Sequence, residues 1–242
     1  MFEVDIKYTI PKMAELYNEP NIESENWSLN TFEVKPNDYH LIVKEQILPG
    51  KYVALRSKNL KKHNMILNNC MMSDTPVERF TNQAFINYAK DNILIAGLGI
   101  GMVPAALAAK KDVKTITIIE LDQEVIDLIE PFIRKYIPNQ HKIKIVQADA
   151  YTYPDTYTGE KYDFAWLDIW PEFPNSYEDY QMFEELFEKY NKIMTVPRCN
   201  GWGYEYAECM DEQTCEINPL ETQAFNDYIK QMIGGSQYEK VI

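Results

Sequence analysis

The sequence predicts an α/β protein: a mostly parallel sheet covered by helices, preceded by a small β-containing N-terminal subdomain. Three observations predict it. From about residue 91 onward, short apolar runs alternate with helical patterns. Three of those runs lead into an acid, Glu120, Asp149 or Asp168. Before residue 75 the patterning is that of short strands punctuated by turn signals. The expected division is a subdomain over 1–75 and a sheet domain over 76–242. At 242 residues and 45% hydrophobic content, the chain is long enough for both.

In the N-terminal part a short helix is expected at 12–17 and strands at 31–34, 39–43, 51–55 and 63–67, with a turn at Pro49-Gly50. Asp74 or Thr75 can cap a helix over 79–88, with Pro76 in its first turn. The sheet domain then reads as a buried strand at 92–96, a helix at 104–110 and a β-branched strand at 115–119. A helix follows at 123–136, interrupted by Pro131, then strands at 142–146 and 163–167. A helix at 177–190 with one aromatic face leads to a fifth strand at 192–196. Asn218-Pro219-Leu220-Glu221 opens a last helix, which Gly234-Gly235 ends.

Composition restricts the partners. The net charge is −13, and residues 151–242 hold 18 of the 37 acids against 6 of the 24 bases. A chain this acidic, whose one small basic run (Arg56, Lys58, Lys61, Lys62, His63) reads as a solvated hairpin tip, is not expected to bind nucleic acid. A negative field over the C-terminal part would attract a cationic small molecule, or would simply keep the surface solvated. The four cysteines form no CxxC pair, and the three clustered ones, Cys199, Cys209 and Cys215, stand far from the histidines, so no metal site is expected. The 17 uncharged residues at 93–109 contain three glycines and a proline, and fall short of the ~20 that a spanning helix needs. With no apolar leader at the start, a cytoplasmic setting without a membrane segment is expected.

The chemistry gathers at the strand ends. The first strand runs into Gly97-Leu98-Gly99-Ile100-Gly101, a turn that lets the chain reverse tightly and lets a ligand approach the backbone. Glu120 follows Gly97 by 23 residues, close to the ~20 expected of a carboxylate that holds a ribose. Asp149 and Asp168 end the third and fourth strands, so three acids share one crevice. The region 151–210 holds 16 of the 31 aromatic residues. Among them Trp170, Trp202 and Tyr204 can hold a cation or stack on a base, or can simply pack the domain.

A dinucleotide fingerprint would place a third glycine at Met102 or Pro104. The G-x-G-x-G turn instead resembles motif I of the class I S-adenosylmethionine-dependent methyltransferases. Residues 93–102, 117–125, 146–150 and 162–170, preceded by a β-rich segment and by Asp74-Thr75-Pro76-Val77-Glu78, resemble the spermidine synthase-like branch of that superfamily. The resemblance spans roughly residues 50–197. It implies a Rossmann-like domain in which Gly97, Gly99, Gly101, Glu120, Leu121, Asp149 and Ala150 hold S-adenosylmethionine or its decarboxylated form. By the same resemblance Asp168 is the catalytic acid near the reacting end. Glu78, Trp170, Trp202 and Tyr204 are the candidates for binding a small-molecule acceptor.

Three departures weigh on the reaction. Aminopropyltransferases carry a Tyr-His-Glu-like or Tyr-Gln-Glu-like element where Pro76-Val77-Glu78 stands here. Their glycine loop has an acid after its third glycine, and Met102 occupies that place. Their Asp-Ser-Ser-Asp/Glu-Pro motif is here Asp168-Ile169-Trp170-Pro171-Glu172. The expectation is therefore a small-molecule methyltransferase, with aminopropyl transfer as the alternative and a non-catalytic nucleoside-binding protein as a third reading. Only 238–242 follows the last helix, so the antiparallel strand pair of the superfamily is expected to be missing or supplied by a second copy in a homodimer.

Overall fold

The computed structural model describes residues 7–38, 47–59, 69–170 and 177–204, with Gln223, Asn226 and Asp227. The chain divides into two compact units, with the boundary between Asn87 and Tyr88.

The N-terminal unit opens with a short helix, α1 (Met13–Leu16), followed by β1 (Asn21–Glu23), β2 (Trp27–Val34), β3 (Gly50–Ser57) and β4 (Cys70–Ser73). These strands form an antiparallel sheet in the order β1-β2-β3-β4. The β2–β3 ladder runs unbroken from Trp27↔Ser57 to Val34↔Gly50. Leu29, Val53 and Ala54 are fully buried along it. Helix α2 (Pro76–Tyr88) starts three residues earlier than expected. Asp74 does not cap it. Its carboxylate accepts instead from Met13 N at 2.7 Å and from Val53 N at 2.6 Å, joining α1 to β3. The strands expected at 39–43 and 63–67 lie outside the described residues.

The second unit is a parallel sheet. Its strands are β5 (Asp91–Ala96), β6 (Val113–Glu120), β7 (Ile143–Gln147), β8 (Phe164–Leu167) and β9 (Cys199–Gly201), in the order β7-β6-β5-β8-β9. Ile93–Ala96 of β5 are buried on both faces, as the continuous apolar run requires. Helix α3 (Met102–Ala108) has every residue buried and begins two residues before the expected start. Helix α4 (Gln123–Tyr136) has the expected bounds, and Asp122 caps it through Glu124 N at 2.8 Å. It continues through Pro131. A 3₁₀ turn (Gln140–Lys142) precedes β7, and α5 (Tyr153–Thr156) follows it. Helix α6 (Tyr177–Asn191) brings Phe183, Leu186, Phe187 and Tyr190 into the core against Leu167 and Ala165.

The fifth strand is not at 192–196. The N–H groups of Lys192, Ile193 and Met194 bond back to Lys189, Tyr190 and Asn191 as the end of α6 winds down. Those donors are therefore lost to a ladder, and only the isolated bridge Tyr162↔Met194 forms. Cys199–Gly201 pairs with β8 in their place. The last expected helix falls mostly outside the described residues, as does the chain end where the strand pair was expected to be missing. Gln223, Asn226 and Asp227 are helical. No helix among the described residues is long and apolar enough to cross a membrane.

The order of strands places the site. The chain runs outward from β5 through β6 to β7, then returns to add β8 on the other side of β5. In an open parallel sheet such a reversal opens a crevice at the carboxyl ends, here between β5 and β8.

Candidate active site

Gly97 and Asp168 stand at the two lips of that crevice. Asp168 N donates to Ala96 O at 2.8 Å, and Gly97 N to Ile119 O at 2.8 Å. Gly97 has φ +98°, and a Cβ built on it would run into the carbonyl oxygen of Asp168. Only glycine fits there, because both the backbone angle and the neighbouring strand exclude a side chain. Gly99 and Gly101 also hold positive φ, and Gly101 stands at the N-cap of α3. The glycine turn is thus built first by strand-to-strand contact, with its backbone left facing the carboxyl edge.

Glu120 ends β6. Its Oε2 accepts from Leu98 N at 3.0 Å and its Oε1 from Asp122 N at 2.9 Å. The carboxylate therefore ties the glycine turn to the start of α4. Burial raises its pKa, and the N–H groups of Asp122, Leu98 and Leu121 work against that rise. A carboxylate has about four lone-pair sites, so two backbone bonds leave capacity for ribose hydroxyls. Leu121 is 68% exposed beside it.

Asp149 follows β7 and is exposed, its Oδ1 accepting from Tyr151 N at 2.8 Å. The carboxylate shapes its own turn and keeps a second oxygen at the carboxyl edge. Ala150 is buried and its carbonyl accepts from the Tyr190 hydroxyl at 2.9 Å.

Asp168 differs from both. Among the described residues its carboxylate has no hydrogen-bond or ionic partner, and loss of solvent pushes its pKa up to about 7. A carboxyl group poised near neutrality at the mouth of a sheet is suited to exchanging a proton.

The aromatic candidates are packed. Trp170 lies 4.0 Å, centroid to centroid, from Phe183. It is also wedged against Gly201, where an added Cβ would come within 3.2 Å of it. Its indole Nε1 is buried without a hydrogen-bond partner among the described residues. Trp202 is buried, with its N–H on Leu167 O at 2.8 Å. The Tyr204 hydroxyl donates to Glu184 at 2.7 Å, and its ring packs on Phe187 and Tyr180. Sequence reading missed Phe183 and Glu184 as the partners that fix these rings; their signal was the aromatic face of α6. Glu78 is half-buried in the first turn of α2, in the N-terminal unit, and its carbonyl accepts from Asn82 Nδ2 at 2.8 Å.

A parallel sheet with a glycine turn after its first strand and acids after the next three defines a Rossmann-like domain of the class I S-adenosylmethionine-dependent methyltransferase superfamily. Within that class the family can be stated: residues 60–214 match the model of the spermine/spermidine synthase domain, and the chain belongs to that family. A curated polyamine aminopropyltransferase of Sulfurisphaera tokodaii is 26% identical over an alignment covering 60% of this chain and 61% of that protein. The chain thus spans under two thirds of that relative's length. A solved spermidine synthase from Thermotoga maritima aligns at 14% identity, covering 82% of this chain and 64% of that one, with a TM-score of 0.46. The CcbJ methyltransferase from Streptomyces caelestis aligns at 15% identity, covering 50% and 49%, with a TM-score of 0.39.

Proposed function

We propose that this protein is an aminopropyltransferase that moves the aminopropyl group of decarboxylated S-adenosylmethionine to a cationic amine acceptor. The family match and the curated relative support this order over methyl transfer, which the motif departures had put first. The single observation that carries the mechanism is the unpartnered Asp168 carboxyl with its pKa pushed up to about 7. An amine is a nucleophile only when neutral, and aliphatic amines are protonated at pH 7. Asp168 takes the proton as the amine nitrogen bonds to the aminopropyl carbon next to sulfur. The carbon–sulfur bond breaks, its electron pair returns to sulfur, and methylthioadenosine leaves. The ionised side chain also attracts the acceptor's positive charge.

The other residues bind and orient. The free lone pairs of Glu120 take the ribose hydroxyls, the exposed Leu121 covers one face of the adenine, and Asp149 accepts from the adenine amino group. The turn at Gly97, Gly99 and Gly101 supplies backbone beside the nucleoside, and Ala150 lines the same edge. Trp170 remains the acceptor-side candidate of this unit. Trp202 and Tyr204 support that side through packing.

Methyl transfer from S-adenosylmethionine is the second reading, favoured by Met102 in place of an acid and by Ile169-Trp170 in place of two serines. One assay separates them. The protein is incubated with a panel of diamines and polyamines and with either the decarboxylated or the intact sulfonium compound. Methylthioadenosine released only with the decarboxylated form supports aminopropyl transfer. S-adenosylhomocysteine released from the intact form supports methyl transfer. Calorimetric binding without either product supports the non-catalytic reading.

A further inference from the structure

We infer that the N-terminal unit binds a single internal water, held jointly by Arg79, Asn82 and Asp74. Helix α2 buries a polar face: Arg79 is 3% exposed, and Asn82 and Asp74 are wholly buried. Arg79 Nη2 stands 3.6 Å from Asp74 Oδ2, beyond hydrogen-bond length. Among the described residues, Arg79 Nε and Nη2 and Asn82 Oδ1 have no hydrogen-bond partner in the protein. The orientation of Asn82 is fixed, because its Nδ2 donates to Glu78 O at 2.8 Å. Turning the amide over would set two oxygens against each other. Residues 79 and 82 are i,i+3 neighbours on one helix face, so the orphaned groups belong to one locality. Buried polar groups are rarely left this way.

The chemistry of the three groups selects the ligand. It must offer lone pairs to Arg79 and a proton to Asn82 Oδ1. An anion would leave Asn82 unsatisfied and would lie against Asp74, whose Oδ2 already accepts from Met13 N at 2.7 Å and, more weakly, from Ala14 N at 3.4 Å. A cation would face the guanidinium. A neutral molecule with two lone pairs and two protons satisfies all of them: it accepts from Arg79 and donates to Asn82 Oδ1 and Asp74 Oδ2. At 3.6 Å the pair makes no direct hydrogen bond and is too close for a water to stand between its two atoms, so a water that meets both sits to one side of them, toward Asn82. The water then links the end of β4, the N-terminus of α1 and the first turn of α2, where Asn82 also holds the carbonyl of Glu78.

A crystal structure of the full chain, at a resolution that defines ordered water, tests this directly. The expected result is one peak within hydrogen-bond distance of Asn82 Oδ1, Asp74 Oδ2 and a guanidinium nitrogen of Arg79. Density larger than one water, or no peak and a guanidinium bonded directly to Asp74 or Asn82, would overturn it. In solution, Arg79→Met and Asn82→Leu are combined and unfolded in urea. With a shared water, the double variant loses several-fold less in its folding equilibrium constant than the product of the single losses. A simple product would show that the two side chains have no common partner.

Discussion

Gly97 and Asp168 meet backbone to backbone: the carbonyl oxygen of Asp168 occupies the place where a Cβ of Gly97 would stand. The contact joins the turn after β5 to the acid after β8, so the glycine turn and the carboxyl proposed to react are set by a single approach of two strands. Gly97→Ala tests it. The variant must move one strand end and hold an unfavourable φ, and should lose roughly 1–3 kcal/mol of stability in urea unfolding. Nucleoside binding by calorimetry should fall with it. An alanine variant as stable as the parent would show that the two strand ends yield freely.

Asp168 gives a pH signature. Burial raises its pKa from 3.8 to about 7. Between those values the folded chain holds a proton that the unfolded chain has released, so this group's contribution to stability falls as pH rises through the window. Asp168→Asn removes the titration. Its melting temperature should gain on the parent between about pH 4 and pH 7, by a few degrees in all, then level off. Turnover should drop by roughly 10²-fold or more, the scale of general-base catalysis. In the parent, kcat/KM should rise with pH to a plateau above about pH 7. A variant with normal turnover and no pH-dependent gain in melting temperature would show Asp168 to be structural.

Glu120 has two duties that substitution can separate. Glu120→Gln keeps one acceptor oxygen but cannot take both the Leu98 and Asp122 N–H groups and also receive two hydroxyls. Affinity for the nucleoside should fall by roughly 1–3 kcal/mol, the cost of a lost bond to a charged group. Unchanged affinity in titration calorimetry, with lowered thermal stability, would confine Glu120 to fastening the turn.

Tyr204→Phe asks whether that ring serves binding or packing. It removes the 2.7 Å bond to Glu184 and leaves the ring contacts with Phe187 and Tyr180 in place. A cost of about 0.5–1.5 kcal/mol in stability is expected, with KM for the amine unchanged. A raised KM at unchanged stability would move Tyr204 into direct contact with the acceptor.

The parts of the site legible in the sequence are those that local pattern dictates. A continuous apolar run ended by glycine marked β5 and its turn. Alternation and β-branching marked β6, and the acid at its end fell where a ribose carboxylate belongs. What could not be read was the use each group makes of its neighbours. Glu120 and Asp149 are both acids at strand ends, yet one fastens the glycine turn and the other closes its own. Trp170 and Tyr204 have the composition of a pocket and the surroundings of a core, a difference set by Phe183 and Glu184 of α6, which touch them directly.

By itself the sequence determined the α/β class, the bounds of α4 and the convergence of Glu120, Asp149 and Asp168 on one edge, because periodicity and capping act between residues close in the chain. The tertiary structure decided the fifth strand and the state of Asp168. Residues 192–196 have the side chains of a strand, but the winding end of α6 takes the N–H groups of Lys192, Ile193 and Met194, and Cys199–Gly201 pairs with β8 instead. Asp168 is one carboxyl among 37 acids, and only the packing of β5, β8 and their neighbours strips part of its water and leaves it without a partner among the described residues. Pairing and desolvation depend on atoms distant in the chain, which is why local pattern alone could not supply them.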